Sequence, residues 1–174
     1  MSMRETGQSL LEVVTASAVG ILVVAALTYA TIFSLRNATF AKNSAQATKL
    51  AQEGIEKVRS SRDRNSSISG SFTLNSQTID NWQDTDLWTN QISPNCTPNC
   101  YFKFSGSSFQ FSTAANNIPN NAEDPLSDGK FKRVVILSDD STTYTTQKTV
   151  TVIVQWTDFA GPHQSKLTTI LRKL

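Results

Sequence analysis

The sequence predicts an α+β chain in which a long N-terminal helix, half of it apolar and half amphipathic, packs on a small antiparallel β-sheet head. Three observations carry this. Val13 to Leu35 run 23 residues without a charge. Arg36 to Arg64 contain no proline and repeat their apolar residues at helical spacing. Beyond Asn65 the composition turns to Ser, Thr, Asn and aromatics, and the apolar period falls to two.

At 174 residues the chain has room for one modest domain plus an extension. Its net charge of +2 is unevenly spread: residues 36–64 hold seven Lys/Arg against three Asp/Glu, and 65–130 hold two against six. A dedicated nucleic-acid binder concentrates more positive charge on one face, so the balance argues against nucleic acid as a partner.

The first element is the stretch "LLEVVTASAVGILVVAALTYATIFSL", residues 10–35. At 1.5 Å per residue it is long enough to cross a hydrocarbon core of about 30 Å. A secretory signal peptide is the main rival, but its apolar core is shorter and follows a basic segment. Here the leader "MSMRETG" sets Arg4 against Glu5. Glu12 stands at the mouth of the run, where an acid costs less than the roughly 2.5–3.5 kcal/mol of a membrane helix centre.

The helix is expected to continue from about Ser9 to Asp63. Phe40, Ala47, Ala51, Ile55 and Val58 form its apolar stripe. Lys49, Glu53 and Lys57 form an i, i+4 ladder on another face, and Arg59 and Asp63 have the same spacing. Gly54 is the interior weakness, costing up to about 1 kcal/mol against Ala unless close packing requires it.

"NSSISGS", Asn65 to Ser71, ends the helix. "YFKFSGSSFQFS" sets Phe102 and Phe104 against Phe109 and Phe111 around a Ser-Gly-Ser-Ser turn, a hairpin signal. "STAANNIPNNAEDPLSDG" reads as loop. "FKRVVIL", "KTVTVIVQW" and "KLTTILRK" read as an antiparallel meander, separated by "SDDSTTYTTQ" and "TDFAGPHQS". In the middle run Val150, Val152, Val154 and Trp156 make one face apolar, and the helix stripe is the available cover.

Sites for chemistry are few. Cys96 and Cys100 are too few ligands for a tetrahedral zinc site; they read as a small disulfide loop of an exported chain, worth about 2 kcal/mol, or as free thiols. Asp80, Asp84 and Asp86 lack the glycine and terminal glutamate of a calcium loop and read as solvated loop acids. Trp82 and Trp88 read as packing for a small head. His163, after a Gly-Pro turn, reads as an exposed loop histidine rather than a base. No hydrolase, metalloprotease or phosphate-loop motif is present, so the sequence points to no catalytic residue, no metal and no cofactor, and to a protein that is not an enzyme.

"Gly7-Gln8-Ser9-Leu10-Leu11-Glu12" resembles the processing site of type IV pilins and type II secretion pseudopilins: a short polar leader, Gly before the cut, and Glu at the fifth mature position. "LAQEGIEKVRSSRD", Leu50 to Asp63, and the C-terminal "VTVIVQWTDFAG" and "KLTTIL" are similar to minor pilins of the pilus-modification group. The resemblance covers the helix and the last third of the chain, and residues 66–130 match nothing in it. It implies a pilin-like division: 1–7 a prepilin leader, 8–35 a transmembrane and filament-core helix, 36–64 the amphipathic soluble half, 65–174 a β-rich head. It also implies cleavage by a prepilin peptidase between Gly7 and Gln8, and N-methylation of Gln8. Gln8 departs from the family's usual Phe or Met, and the absence of proline before Pro94 resembles minor rather than major subunits.

The implied function is that of a minor pilin or pseudopilin that enters, initiates or modifies a filament by helix–helix packing. Glu12 then pairs with the N-terminal ammonium of a neighbouring subunit. Partners are other pilin or pseudopilin subunits, the prepilin peptidase, the inner-membrane assembly platform and, before assembly, membrane lipid. The implied location is the bacterial inner membrane as a single-pass protein, then the pilus or cell surface. Two alternatives stay open: a head that acts as an adhesin or DNA-uptake module, and an unprocessed single-span membrane protein that keeps residues 1–7.

Overall fold

The computed structural model describes residues 5–92, 96, 99–105, 108–112, 124–126 and 129–174, with the backbone alone for 5–9 and 124–125. Helix α1 spans Glu5–Asp63 without interruption, starting four residues before the expected Ser9. With no proline to remove a bond, every turn can form. Its end is a Schellman motif: Ser66 N donates to Ser61 O at 2.8 Å and Asn65 N to Arg62 O at 2.9 Å. Asn65 supplies the left-handed residue at φ 50°, a conformation asparagine tolerates better than most.

The chain divides into two compact units, Met1–Lys42 and Asn43–Leu174. The second unit is the head, and it takes the last third of α1 as its central element. Strands β1 (Ile68–Ser69), β4 (Cys100–Ser105), β5 (Ser108–Ser112), β6 (Asp124–Pro125), β7 (Phe131–Ser138), β8 (Gln147–Asp158) and β9 (Gly161–Arg172) form one seven-stranded sheet. Its order is β1-β5-β4-β7-β8-β9, with β6 beside β7. A short hairpin of β2 (Thr73–Leu74) and β3 (Gln77–Thr78) and helix α2 (Thr85–Thr89) lie between β1 and β4 in the chain.

The meander and the aromatic hairpin form as expected, with Phe102 opposite Phe111 and Phe104 opposite Phe109. The sheet is mixed rather than purely antiparallel, because β1 pairs with β5 in parallel. A strand leaving the helix end reaches the sheet edge in the direction opposite to a hairpin return, and no sequence period encodes that choice. The expected loop between β5 and β7 contributes β6, paired to Lys132 and Arg133. The separator "TDFAGPHQS" is also mostly strand. The β8–β9 register runs from Gln147↔Arg172 to Asp158↔Gly161, leaving Phe159 and Ala160 as the loop. Gly161, at φ +118°, closes that loop in a conformation side chains avoid. His163 is therefore a strand residue opposite Trp156, not a loop histidine.

The helix stripe is buried at Ala47, Ala51, Ile55 and Val58, while Phe40 lies outside the head and is 41% exposed. Asn43 and Ser61 extend the buried face in its place. Val150, Val152 and Val154 of β8 meet this face, and a second small cluster of Tyr101, Val134 and Ile153 forms on the other side of the sheet. Phe102 stacks on Phe109 at 4.5 Å and takes Phe72 edge-on at 5.1 Å, consistent with ring quadrupoles. Trp82 and Trp88 are core residues, and the Trp88 indole donates to Trp82 O at 2.8 Å.

Charges sort by burial. Lys57 and Glu53 pair at 2.9 Å as the ladder predicts. The hydrogen bond from Lys57, opposed by partial burial and helped by the charges of Lys57 and Arg133, holds the Glu53 carboxyl below its ordinary range. Arg59 does not pair with Asp63. It bonds Glu56 at 2.7 Å and Thr169 at 2.8 Å, and Asp63 pairs with Arg62.

Candidate functional site

The first unit offers a continuous apolar surface. Leu10, Leu11, Val13, Val14, Ile21, Leu22, Val24, Leu27, Phe33 and Leu35 are all more than half exposed, and none of the most apolar window of α1 is buried. Several hydroxyls within it are satisfied by the helix itself. Ser17 donates to Val13 O at 2.7 Å, Thr28 to Val24 O at 2.8 Å and Thr31 to Leu27 O at 2.8 Å. This matters because an unsatisfied polar group in hydrocarbon costs several kcal/mol. The surface is thus compatible with a single membrane span, by length and chemistry.

One notch interrupts it. Nothing lies within 4 Å of where a Gly20 Cβ would stand, and Ser17, Gly20, Ile21, Val24 and Ala25 line a shallow hollow there. Such a hollow lets another helix approach closely, in the way that small residues serve membrane helix pairs.

Glu12 is the one carboxylate within this surface, and it is exposed. Its backbone carbonyl accepts the Thr15 hydroxyl at 3.0 Å, and among the described side chains none pairs with its carboxylate. Gly7 and Gln8 have helical backbone in α1, and the Gln8 side chain lies outside the described residues. Glu12 thus stands one turn beyond the proposed cut without a counter-charge among the described residues. In an apolar medium a carboxylate is costly unless it is protonated or faces a cation.

No family model, curated protein or solved structure matches this chain.

In the head, the expected site residues take structural places. Cys96 and Cys100 form a disulfide with Cα atoms 5.0 Å apart. Asp84 caps α2, accepting from Asp86 N at 3.0 Å, and its other oxygen takes Asp80 N at 3.4 Å. His163 Nε2 lies 2.9 Å from Asp158 Oδ1, and its ring stacks on Trp156.

The head's buried charge pair carries no sequence signal. Lys148 and Asp139, 0% and 1% exposed, meet at 2.8 Å. Lys148 also donates to Asn90 O at 3.0 Å, and Asp139 accepts Ile92 N at 2.8 Å. Burial pulls the Lys148 ammonium below the ordinary lysine range, against the upward pull of Asp139. A lysine opening an alternating strand and an acid in a Ser-Asp-Asp turn share no local spacing that would pair them. The pairing appears when β7 and β8 take their register.

Proposed function

We propose that the chain is a minor type IV pilin or pseudopilin, anchored in the membrane by α1 and packed into a filament through the exposed apolar surface of that helix. The observation that carries this reading is Glu12, an exposed carboxylate one turn beyond Gly7-Gln8 and at the start of an uninterrupted apolar helix. Cleavage after Gly7 creates an ammonium on Gln8, methylated or free. An ammonium of one subunit facing Glu12 of the next neutralises both charges in the apolar bundle and sets the stagger between helices. The head closes over the last third of α1 with its own core, which leaves the apolar surface to neighbours.

Cleavage is tested by intact mass after expression with and without a prepilin peptidase. The expected loss equals residues 1–7, and an unchanged mass removes the pilin reading in favour of an unprocessed anchor. Glu12→Ala is expected to leave membrane insertion intact and to lower incorporation into sheared filaments at least about ten-fold, the equivalent of about 1.4 kcal/mol of lost pairing. Incorporation equal to the parent would remove the role given to Glu12.

A further inference from the structure

We propose that the outer edge of β9 takes an extended, acidic segment of a partner protein as an added strand of the sheet. An added strand is held by main-chain hydrogen bonds and chosen by its side chains. The contact concerns the head alone and stands apart from how the apolar run is used.

The first ground is an unoccupied ladder. β9 ends the strand order, so one of its sides has no neighbouring strand. Lys173 N donates to Thr146 O at 2.9 Å, which continues the β8–β9 register by one pair. Bonded and non-bonded residues alternate in an antiparallel pair, so counting back from Lys173 the odd-numbered residues bond to β8 and the even-numbered ones point N–H and C=O the other way. Arg172 O does so and is taken by Arg62 Nη1 at 3.1 Å. Pro162, at the far end, has no N–H to offer. Between them the main-chain groups of Gln164, Lys166, Thr168 and Ile170 that face outward meet no partner among the described residues. They span roughly 20 Å of edge at about 3.4 Å per residue, the length of an ordinary strand.

The second ground is charge. Residues 161–174 hold Lys166, Arg172 and Lys173 and no Asp or Glu. The β8 residues across the pair from 164–170, Thr149 to Gln155, are all uncharged. The α1 acids beside this strand, Glu56 and Asp63, are paired with Arg59 and Arg62, the two arginines that reach β9. Lys166 is exposed in the middle of the open edge. A lysine there repels stray strands. It also selects among them, since a carboxylate opposite Lys166 is attracted and a second cation is repelled. A further copy of β9 would bring three more cations and no acid to the same edge, so charge disfavours self-pairing. Ile170, 55% exposed on the same row, offers the incoming strand an apolar contact.

The test follows amide hydrogen exchange of the isotope-labelled full chain in detergent micelles by nuclear magnetic resonance. The probe is a capped peptide of alternating Thr and Val with one central Glu, and its twin with Lys in that place is the control. With the Glu peptide at about 5 mM, exchange at Lys166, Thr168 and Ile170 is expected to slow at least about three-fold, as for a Kd of about 2.5 mM or tighter. Exchange at Leu167 and Thr169, already bonded to β8, should not move. The Lys peptide should give no slowing, and Lys166→Glu should reverse the preference between the two. Unchanged exchange with both peptides overturns the proposal. Equal slowing by both overturns the acidic choice of partner. Slow exchange at these amides without peptide, growing with protein concentration, assigns the edge to a second copy and overturns it as well.

Discussion

Asp139→Ala is expected to destabilise the head by about 3–5 kcal/mol, because it leaves the Lys148 ammonium buried without a counter-charge. The same substitution removes the acceptor of Ile92 N, so the segment from Asn90 to Ile92 loses both of these anchors to the β7–β8 end of the sheet if the lysine then withdraws. Cys96 N donates to Ile92 O at 3.2 Å, so this segment leads directly into the disulfide loop. Denaturant unfolding of the full chain in detergent, followed by near-ultraviolet circular dichroism of the buried tryptophans, reads the change. Replacing both partners by Met and Leu removes the charges together. The pair variant is expected to recover most of the loss, since an apolar pair of similar volume is often no worse than a buried ion pair. A loss below about 1 kcal/mol for Asp139→Ala would show that water reaches Lys148 and that the pair is not holding this end of the head.

Gly54→Ala is expected to destabilise rather than stabilise, against the direction that helix propensity gives. Propensity alone favours alanine by up to about 1 kcal/mol. The new Cβ, however, would stand 2.8 Å from Val152 Cγ1 and 3.1 Å from Arg133 Cδ. Val152 is fully buried and Arg133 is 1% exposed, with Nη1 bonded to Leu50 O at 3.2 Å, so neither side chain has room to give. Overpacking of this kind costs about 1–3 kcal/mol, and the net loss should be about 1–2 kcal/mol. Val152→Ala opens space at the same point. In a double-mutant cycle the two changes should couple favourably by at least about 0.5 kcal/mol, the order of magnitude for residues in contact. Gly20→Ala is the control, since nothing lies within 4 Å of its Cβ position and the head's stability should not move. Equal gains of stability at Gly54 and Gly20 would mean that the helix does not lie as close to β8 as the contact requires.

The elements legible in the sequence are those that local periods encode. The helix is readable because 3.6-residue spacing and the absence of proline act within a few turns. The Phe102/Phe104 and Phe109/Phe111 hairpin is readable because its two strands are neighbours in the chain and each shows its own alternation. β8 is readable for the same reason. Gly54 is legible only as a question, since a glycine in a helix is a cost until its neighbour is known.

The misreadings have one cause. "TDFAGPHQS" carries turn residues, yet β8 and β9 extend through it because each added rung bonds to a strand already placed. His163 follows its segment into the sheet. Phe40 fits the stripe by spacing but belongs to the first unit and is 41% exposed. Arg59 has Asp63 at helical distance, yet takes Glu56 and the Thr169 hydroxyl, which arrives from 110 residues away.

From the order of residues alone come the long helix, its apolar run with Glu12 as the lone acid, the aromatic hairpin and the apolar face of β8. Each depends on residues a few positions apart. The assembled head is needed for the parallel β1–β5 pair, the approach of Val152 to Gly54, the burial of Lys148 against Asp139 and the place of β9 at the sheet edge. Those depend on which distant strands meet, and partner choice across a sheet is set by packing of the whole head rather than by any local period.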